Sequence, residues 1–197
     1  MVRAILLAAG LSSRLALPKD QLTLGSQRVL EIGCRKLLST SISSLLLVLG
    51  PFTLAPQLKD GRLKMVRNSS PQQGLSSSLR LALKGFSPPQ EHLLVALGDQ
   101  PLIRVETMQF LLDTFTSRRP LILRPCYREQ PGHPVFFNRQ LLDRLKQTTG
   151  DRGGREIIAQ TPAASIIELG VDDPGVLLDL DTWSDYLRLL YMVREKG

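Results

Sequence analysis

The sequence predicts an α/β fold, a mostly parallel sheet layered between helices, and two observations predict it. Short apolar runs recur along the chain. Amphipathic stretches with helical spacing separate them, so strands and helices alternate as they do in βαβ units. Residues 4–8 read as a buried strand. Residues 29–38 read as a helix, with Leu30, Cys34, Leu37 and Leu38 near helical spacing. Strands are expected at 45–49 and 63–66. A helix over 75–83 puts Leu75, Leu79, Ala82 and Leu83 on one face. Residues 93–97 are a continuous apolar strand, 108–115 a helix and 121–123 a further strand. The texture then changes. A strand at 135–137, a short helix at 140–145, a helix at 152–160 and strands at 165–169 and 176–178 are expected. Thr182 stands as N-cap of a final helix, with Asp185 as its capping-box acid.

With 197 residues and no Pro/Gly linker, repeat or low-complexity tract, residues 1–197 are expected to form one domain. The formal net charge is +7, from 25 basic and 18 acidic residues, which favours anionic partners. No run of five Lys/Arg occurs and aromatic content is 5%, so neither a nucleic-acid arm nor a base-stacking platform for single strands is expected. Cys34 and Cys126 lie outside any CxxC pattern, which argues against structural zinc or a disulfide framework. No stretch approaches transmembrane length, and a cytoplasmic protein with no membrane or nucleic-acid partner is expected.

The chemistry-bearing segments fall at the expected strand ends. Ala8-Ala9-Gly10 closes the first strand and leads to Ser12, Ser13, Arg14 and Lys19. Small residues let backbone approach a ligand, and successive N–H groups cradle phosphate oxygens. A guanidinium and an ammonium would neutralise a polyphosphate. The loop matches neither a Walker A nor a GxGxxG pattern, and a plain βα turn is the simpler reading of it alone. Asp99, in Gly98-Asp99-Gln100-Pro101, stands after the most apolar strand. It suits Mg²⁺, or else caps the helix that follows. Asp179 and Asp181 share one side of an extended segment and are either further carboxylates for the site or turn acids. Gly74 with Ser76, Ser77 and Ser78 opens a helix. A helix N-terminus favours anionic ligands, although a serine there is also an ordinary cap.

Leu7-Ala8-Ala9-Gly10-Leu11-Ser12-Ser13-Arg14, followed by Pro18-Lys19, resembles the LAAGxSxRMGxPK signature of nucleotidyltransferases similar to molybdenum cofactor cytidylyltransferase, the MobA-like NTP transferases. Leu15-Ala16 stands where the family has Met-Gly. The resemblance continues through Gly74–Leu79 (GLSSSL), the full GDQP at 98–101, Gly132-His133-Pro134, the GDxGAR-like Gly150–Arg155 and the Asp-x-Asp-Thr at 179–182. Glu129 and Ser69 depart from the family's Gly and Pro.

The resemblance covers nearly the whole chain and implies a three-layer sandwich of the nucleotide-diphospho-sugar transferase type. It implies an N-terminal half for the nucleotide and a C-terminal half for the acceptor. By resemblance, Asp99 and Asp181 hold Mg²⁺, with Lys19, Arg14 and Asp99 catalytic. Ala8, Ala9, Gly10, Ser12, Ser13, Arg14, Lys19, Gly74, Ser76, Ser77 and Ser78 bind the nucleotide. Gly132, His133 and Arg155 face the acceptor. The implied reaction transfers CMP from CTP to the phosphate of a molybdopterin-type cofactor, with a molybdenum hydroxylase as a possible partner. Relatives that use GTP carry Gly where this chain has Ala9, whose Cβ is expected to take room from guanine. Transfer from GTP, transfer to another phosphorylated acceptor, and a non-catalytic cofactor carrier are the alternatives.

Overall fold

The computed structural model describes residues 1–10, 21–84, 91–150 and 154–194. In chain order the described elements are β1 (Val2–Ala8), β2 (Thr23–Leu24), β3 (Gln27–Arg28), α1 (Val29–Leu38), β4 (Ser44–Leu49), β5 (Leu63–Arg67), α2 (Leu75–Lys84) and β6 (His92–Leu97). They continue with α3 (Val105–Arg118), β7 (Ile122–Tyr127), β8 (Gln130–Pro131), β9 (Val135–Phe137), α4 (Leu142–Lys146), α5 (Arg155–Gln160), β10 (Ile166–Gly170) and α6 (Trp183–Arg194).

One eight-stranded sheet runs β10-β7-β9-β6-β1-β4-β5, with β8 added to β7. β1 pairs in parallel with both β4 and β6, while β9 is antiparallel to β6 and β7. The central strands are apolar at nearly every position, with Arg3, Ser44 and His92 the polar residues near their starts, because both faces are covered. Ala4 and Leu6 of β1 join Leu30, Cys34 and Leu37 of α1 and Met108, Leu111 and Phe115 of α3 in one core. Ile5 and Leu7, pointing the other way, join Leu79, Ala82 and Leu83 of α2, Leu142 and Leu145 of α4 and Ile157 of α5. Period-two alternation along β1 thus feeds two cores, which makes the three-layer sandwich. A third cluster sets Leu180 and Leu189 against Leu22, Leu24 and Val29, so α6 packs on the β2–β3 hairpin. Among the described residues no helix is long and apolar enough to cross a membrane.

The strand expected at 176–178 is instead part of a 3₁₀ turn, Pro174–Leu177. Pro174 at its start sets helical φ, and Asp173 accepts from Gly175 N at 3.0 Å, so the apolar run is bent rather than extended. β7 runs on past the expected 121–123 despite Pro125. Its antiparallel neighbour changes there from β9, paired at Ile122 and Leu123, to β8, paired at Cys126 and Tyr127. The missing N–H falls in the gap between the two ladders. The helix expected from 152 begins at Arg155, with residues 151–153 outside the described part.

Candidate active site

The chain leaves β1, builds β4 and β5 outward on one side, and then crosses to β6 on the other. The carboxyl ends of β1 and β6 therefore flank a point where the winding direction changes, where open α/β sheets bind ligands. Ala8, Ala9 and Gly10 stand at the end of β1, and Gly98 and Asp99 at the end of β6. Gly98 N donates to Leu7 O at 2.9 Å, so the two ends are stitched together. Ser12, Ser13, Arg14 and Lys19 lie outside the described residues.

Asp99 is not the cap of the following helix. α3 starts at Val105 with Arg104 at its N-cap, and the Arg104 N–H goes to Asp173 Oδ2 at 2.9 Å. The turn after Asp99 is braced by Lys36 of α1, whose Nζ donates to Pro101 O at 2.7 Å and Ile103 O at 2.9 Å. The 179–181 segment docks directly on it, because Leu180 N donates to Asp99 O at 2.9 Å. Asp99 and Asp181 thus come from distant sequence to one place. Asp179 is engaged differently, its Oδ1 accepting from Gln100 Nε2 at 2.7 Å.

Among the described residues there is no cluster of three or more His, Cys, Asp or Glu side chains able to hold a metal. Two carboxylates with hard oxygen donors fit Mg²⁺, which fills its shell with water and phosphate oxygens. The buried Oε1 of Gln100, beside Asp179, has no hydrogen-bond partner among the described residues. A buried acceptor of this kind suits a hydrated cation, whose waters are donors.

On the β7 side, His133 N donates to Val176 O at 3.0 Å. This approach requires Gly132, since a Cβ there would lie 2.2 Å from Val176 O. The His133 ring is partly buried. Burial holds it well below its usual 6.5, at about 4, and Arg155 and Arg124 push the same way while the Asp99 carboxylate opposes them. His133 is therefore neutral at pH 7, in the field of Asp99 and two arginines. Arg124 is paired with Glu168, and Arg155, exposed at the start of α5, faces open solvent.

On the β5 side, Gly74 has φ 88° and ψ 176°, a region essentially reserved for glycine. It turns the chain into α2, where Ser76, Ser77 and Ser78 are all buried. Asn68 Nδ2 donates to Ser77 Oγ at 2.8 Å and Ser78 Oγ at 2.9 Å, and Ser77 Oγ also donates to Gly74 O at 2.8 Å. The Ser77 and Ser78 hydroxyls are thus engaged within the protein, and Asn68 organises the helix start. Ala9 is only 4% exposed and belongs to the core on the α2 face. Its methyl packs into protein, so the expected crowding of guanine by that Cβ does not hold. Asn68, Lys36 and Gln100 were not among the expected site residues. Asn68 precedes the glycine-serine motif and Gln100 lies within GDQP, so both had a local signal, whereas Lys36 had none.

The MobA-like NTP transferase domain model matches residues 4–165. Among solved structures, Rv0371c from Mycobacterium tuberculosis H37Rv is similar with a TM-score of 0.81 and 30% identity, covering 96% of this chain and 97% of that one. A complex of Rv0371C with manganese gives 0.74 and 28%, covering 96% and 98%. A nucleotidyl transferase from Methanothermobacter thermautotroptrophicus gives 0.80 at 18%, covering 100% and 99%, a likeness of fold. No curated protein matches the sequence.

Proposed function

The chain belongs to the MobA-like NTP transferase family, and we propose that it transfers CMP from CTP to the terminal phosphate of a molybdopterin-type cofactor, releasing pyrophosphate. In this reading residues 1–197 are one cytoplasmic transferase domain, with the nucleotide on the β1–β4–β5 side and the acceptor on the β7 side. The observation that carries it is the meeting of Ala8–Gly10, Asp99 and the Asp181 segment at the carboxyl edge of β1 and β6.

An oxygen of the acceptor's phosphate monoester attacks the α-phosphorus, and the bond to the bridging oxygen breaks as pyrophosphate leaves. The attacking oxygen is already anionic near neutral pH, so the site needs positioning and charge stabilisation rather than a general base. Asp99 and Asp181 would hold Mg²⁺, which when bound neutralises phosphate charge. Backbone N–H groups near Ala8, Ala9 and Gly10, with Ser12 and Ser13, would cradle the triphosphate. Arg14 and Lys19 would offset the charge that develops in transfer. Gly74 and Ser76–Ser78 would shape the nucleotide side. Neutral His133, beside Gly132, and exposed Arg155 would meet the anionic acceptor, which reaches a hydroxylase partner after transfer.

The test is pyrophosphate release with each of the four nucleoside triphosphates, with and without the molybdopterin acceptor. Release with CTP that depends on the acceptor is expected. Asp99→Ala should lower kcat by at least about a hundredfold, an effect of about 2.7 kcal/mol, with the fold intact by circular dichroism. Wild-type turnover in Asp99→Ala, or preference for GTP, would overturn the metal role or the donor assignment respectively.

A further inference from the structure

Phe52 is 93% exposed, a large apolar ring held in water at the carboxyl end of β4. The ring is not on a loose loop. Arg67, the last residue of β5, donates from Nη1 to Gly50 O at 2.9 Å and Thr53 O at 2.9 Å, with a longer contact to Pro51 O at 3.4 Å. Gly50 N in turn donates to Thr53 Oγ1 at 3.1 Å. One guanidinium thus gathers three carbonyls of the Gly50–Thr53 turn, and a hydroxyl closes it from inside. Holding an arginine in this way ties a rotamer-rich side chain to a turn that otherwise presents Phe52 to solvent.

The place matters as much as the rigidity. Ala8 pairs with Leu49 across β1 and β4, so the residues that follow, Ala9 and Gly50, leave the sheet side by side. Asn68 N donates to Leu49 O at 2.8 Å, which brings the Asn68–Gly74 approach to α2 against the same edge. The Gly50–Thr53 turn that carries Phe52 therefore leaves the edge between the end of β1 and the Asn68 approach to α2, on the far side of β1 from His133 and Arg155.

We infer that Phe52 is a stacking platform for the nucleobase of the bound triphosphate, with Arg67 as the positioning residue that fixes its turn. The inference rests on the transferase reading above and assigns it a base-binding side chain. A phenyl face accepts any planar base without reading its hydrogen-bonding edge. It covers the ring equally in ground and transition states, so its loss is felt in binding rather than in the chemical step.

The experiment measures Kd by calorimetry for CTP and for inorganic tripolyphosphate, which has no base, together with kcat and KM. Phe52→Ala is expected to weaken CTP about 5- to 20-fold in both Kd and KM, leaving kcat and tripolyphosphate binding near wild type. Phe52→Trp is expected to keep CTP affinity and to change its added fluorescence with CTP but not with tripolyphosphate. Arg67→Ala is expected to reproduce the Phe52→Ala loss, and the double variant to be little worse than either. Unchanged CTP affinity in Phe52→Ala overturns the inference. An equal loss of tripolyphosphate binding also overturns it, since the ring would then be supporting the phosphate loop. A wild-type protein that binds tripolyphosphate and CTP equally well excludes any base platform. One that binds no nucleotide brings down the transferase reading itself.

Discussion

Protonating His133 would add a positive charge to a partly buried site that already faces Arg155 and Arg124. Because the ring is held at about 4 against a usual 6.5, the unfolded chain binds the proton more readily between those values. Its contribution to stability is therefore complete above about pH 6.5 and declines as the pH falls toward 4. The full difference corresponds to about 3 kcal/mol. Urea unfolding in chelator should show His133→Gln with a shallower loss of stability between pH 7 and 4.5 than wild type. Parallel curves for the two proteins would remove His133 as the titrating group. At this scale residue type and motif alone nominate Asp99, Asp181 and His133 as chemistry-bearing. The sequence was silent on Lys36 and on the partner of Gln100, because the groups they reach lie far along the chain: Lys36 reaches Pro101 and Gln100 reaches Asp179.

Helix α6 begins as its composition predicts. Thr182 Oγ1 accepts from Asp185 N at 3.2 Å, and the Asp185 carboxylate accepts from Thr182 N at 2.7 Å. The hydrogen bond from the Thr182 hydroxyl, above all, holds the Asp185 carboxyl below its ordinary range. The contribution of this carboxylate is thus present at neutral pH and fades as acid protonates it. Thr182→Ala removes a side-chain cap worth about 1 kcal/mol. It should lower Tm by about 2–4 °C for a chain of this size, readable by scanning calorimetry. An unchanged Tm would mean that the box contributes nothing to folding. The same local reasoning failed at 176–178, where an apolar run read as a strand. Pro174 and the carboxylate of Asp173 decide that segment, and Asp173 is engaged because Arg104 N, from another element, donates to it.

At the scale of the molecule, a small third core joins the β2–β3 hairpin to α6. Leu189 of α6, 1% exposed, packs with Leu22, Leu24 and Val29, and Tyr186 OH donates to Thr23 O at 2.7 Å. Leu189→Ala should cost about 2–5 kcal/mol, the range for a buried leucine truncated in a packed core, and shift the denaturant midpoint accordingly. A loss below about 1 kcal/mol would show that α6 is a loosely held appendage. What the sequence determined by itself was periodic and local: the alternation of apolar runs with amphipathic helices, the capping box, and the ordered motifs that identify the family. Each of those is written in neighbouring residues. The tertiary structure decided which strands lie side by side, that Leu180 docks on the Asp99 carbonyl, that the methyl of Ala9 turns into the core, and that Arg67 holds Phe52 out at the sheet edge. Those outcomes depend on contacts between residues far apart in the chain, formed when two sheet faces are buried at once, and no local pattern of side chains encodes them.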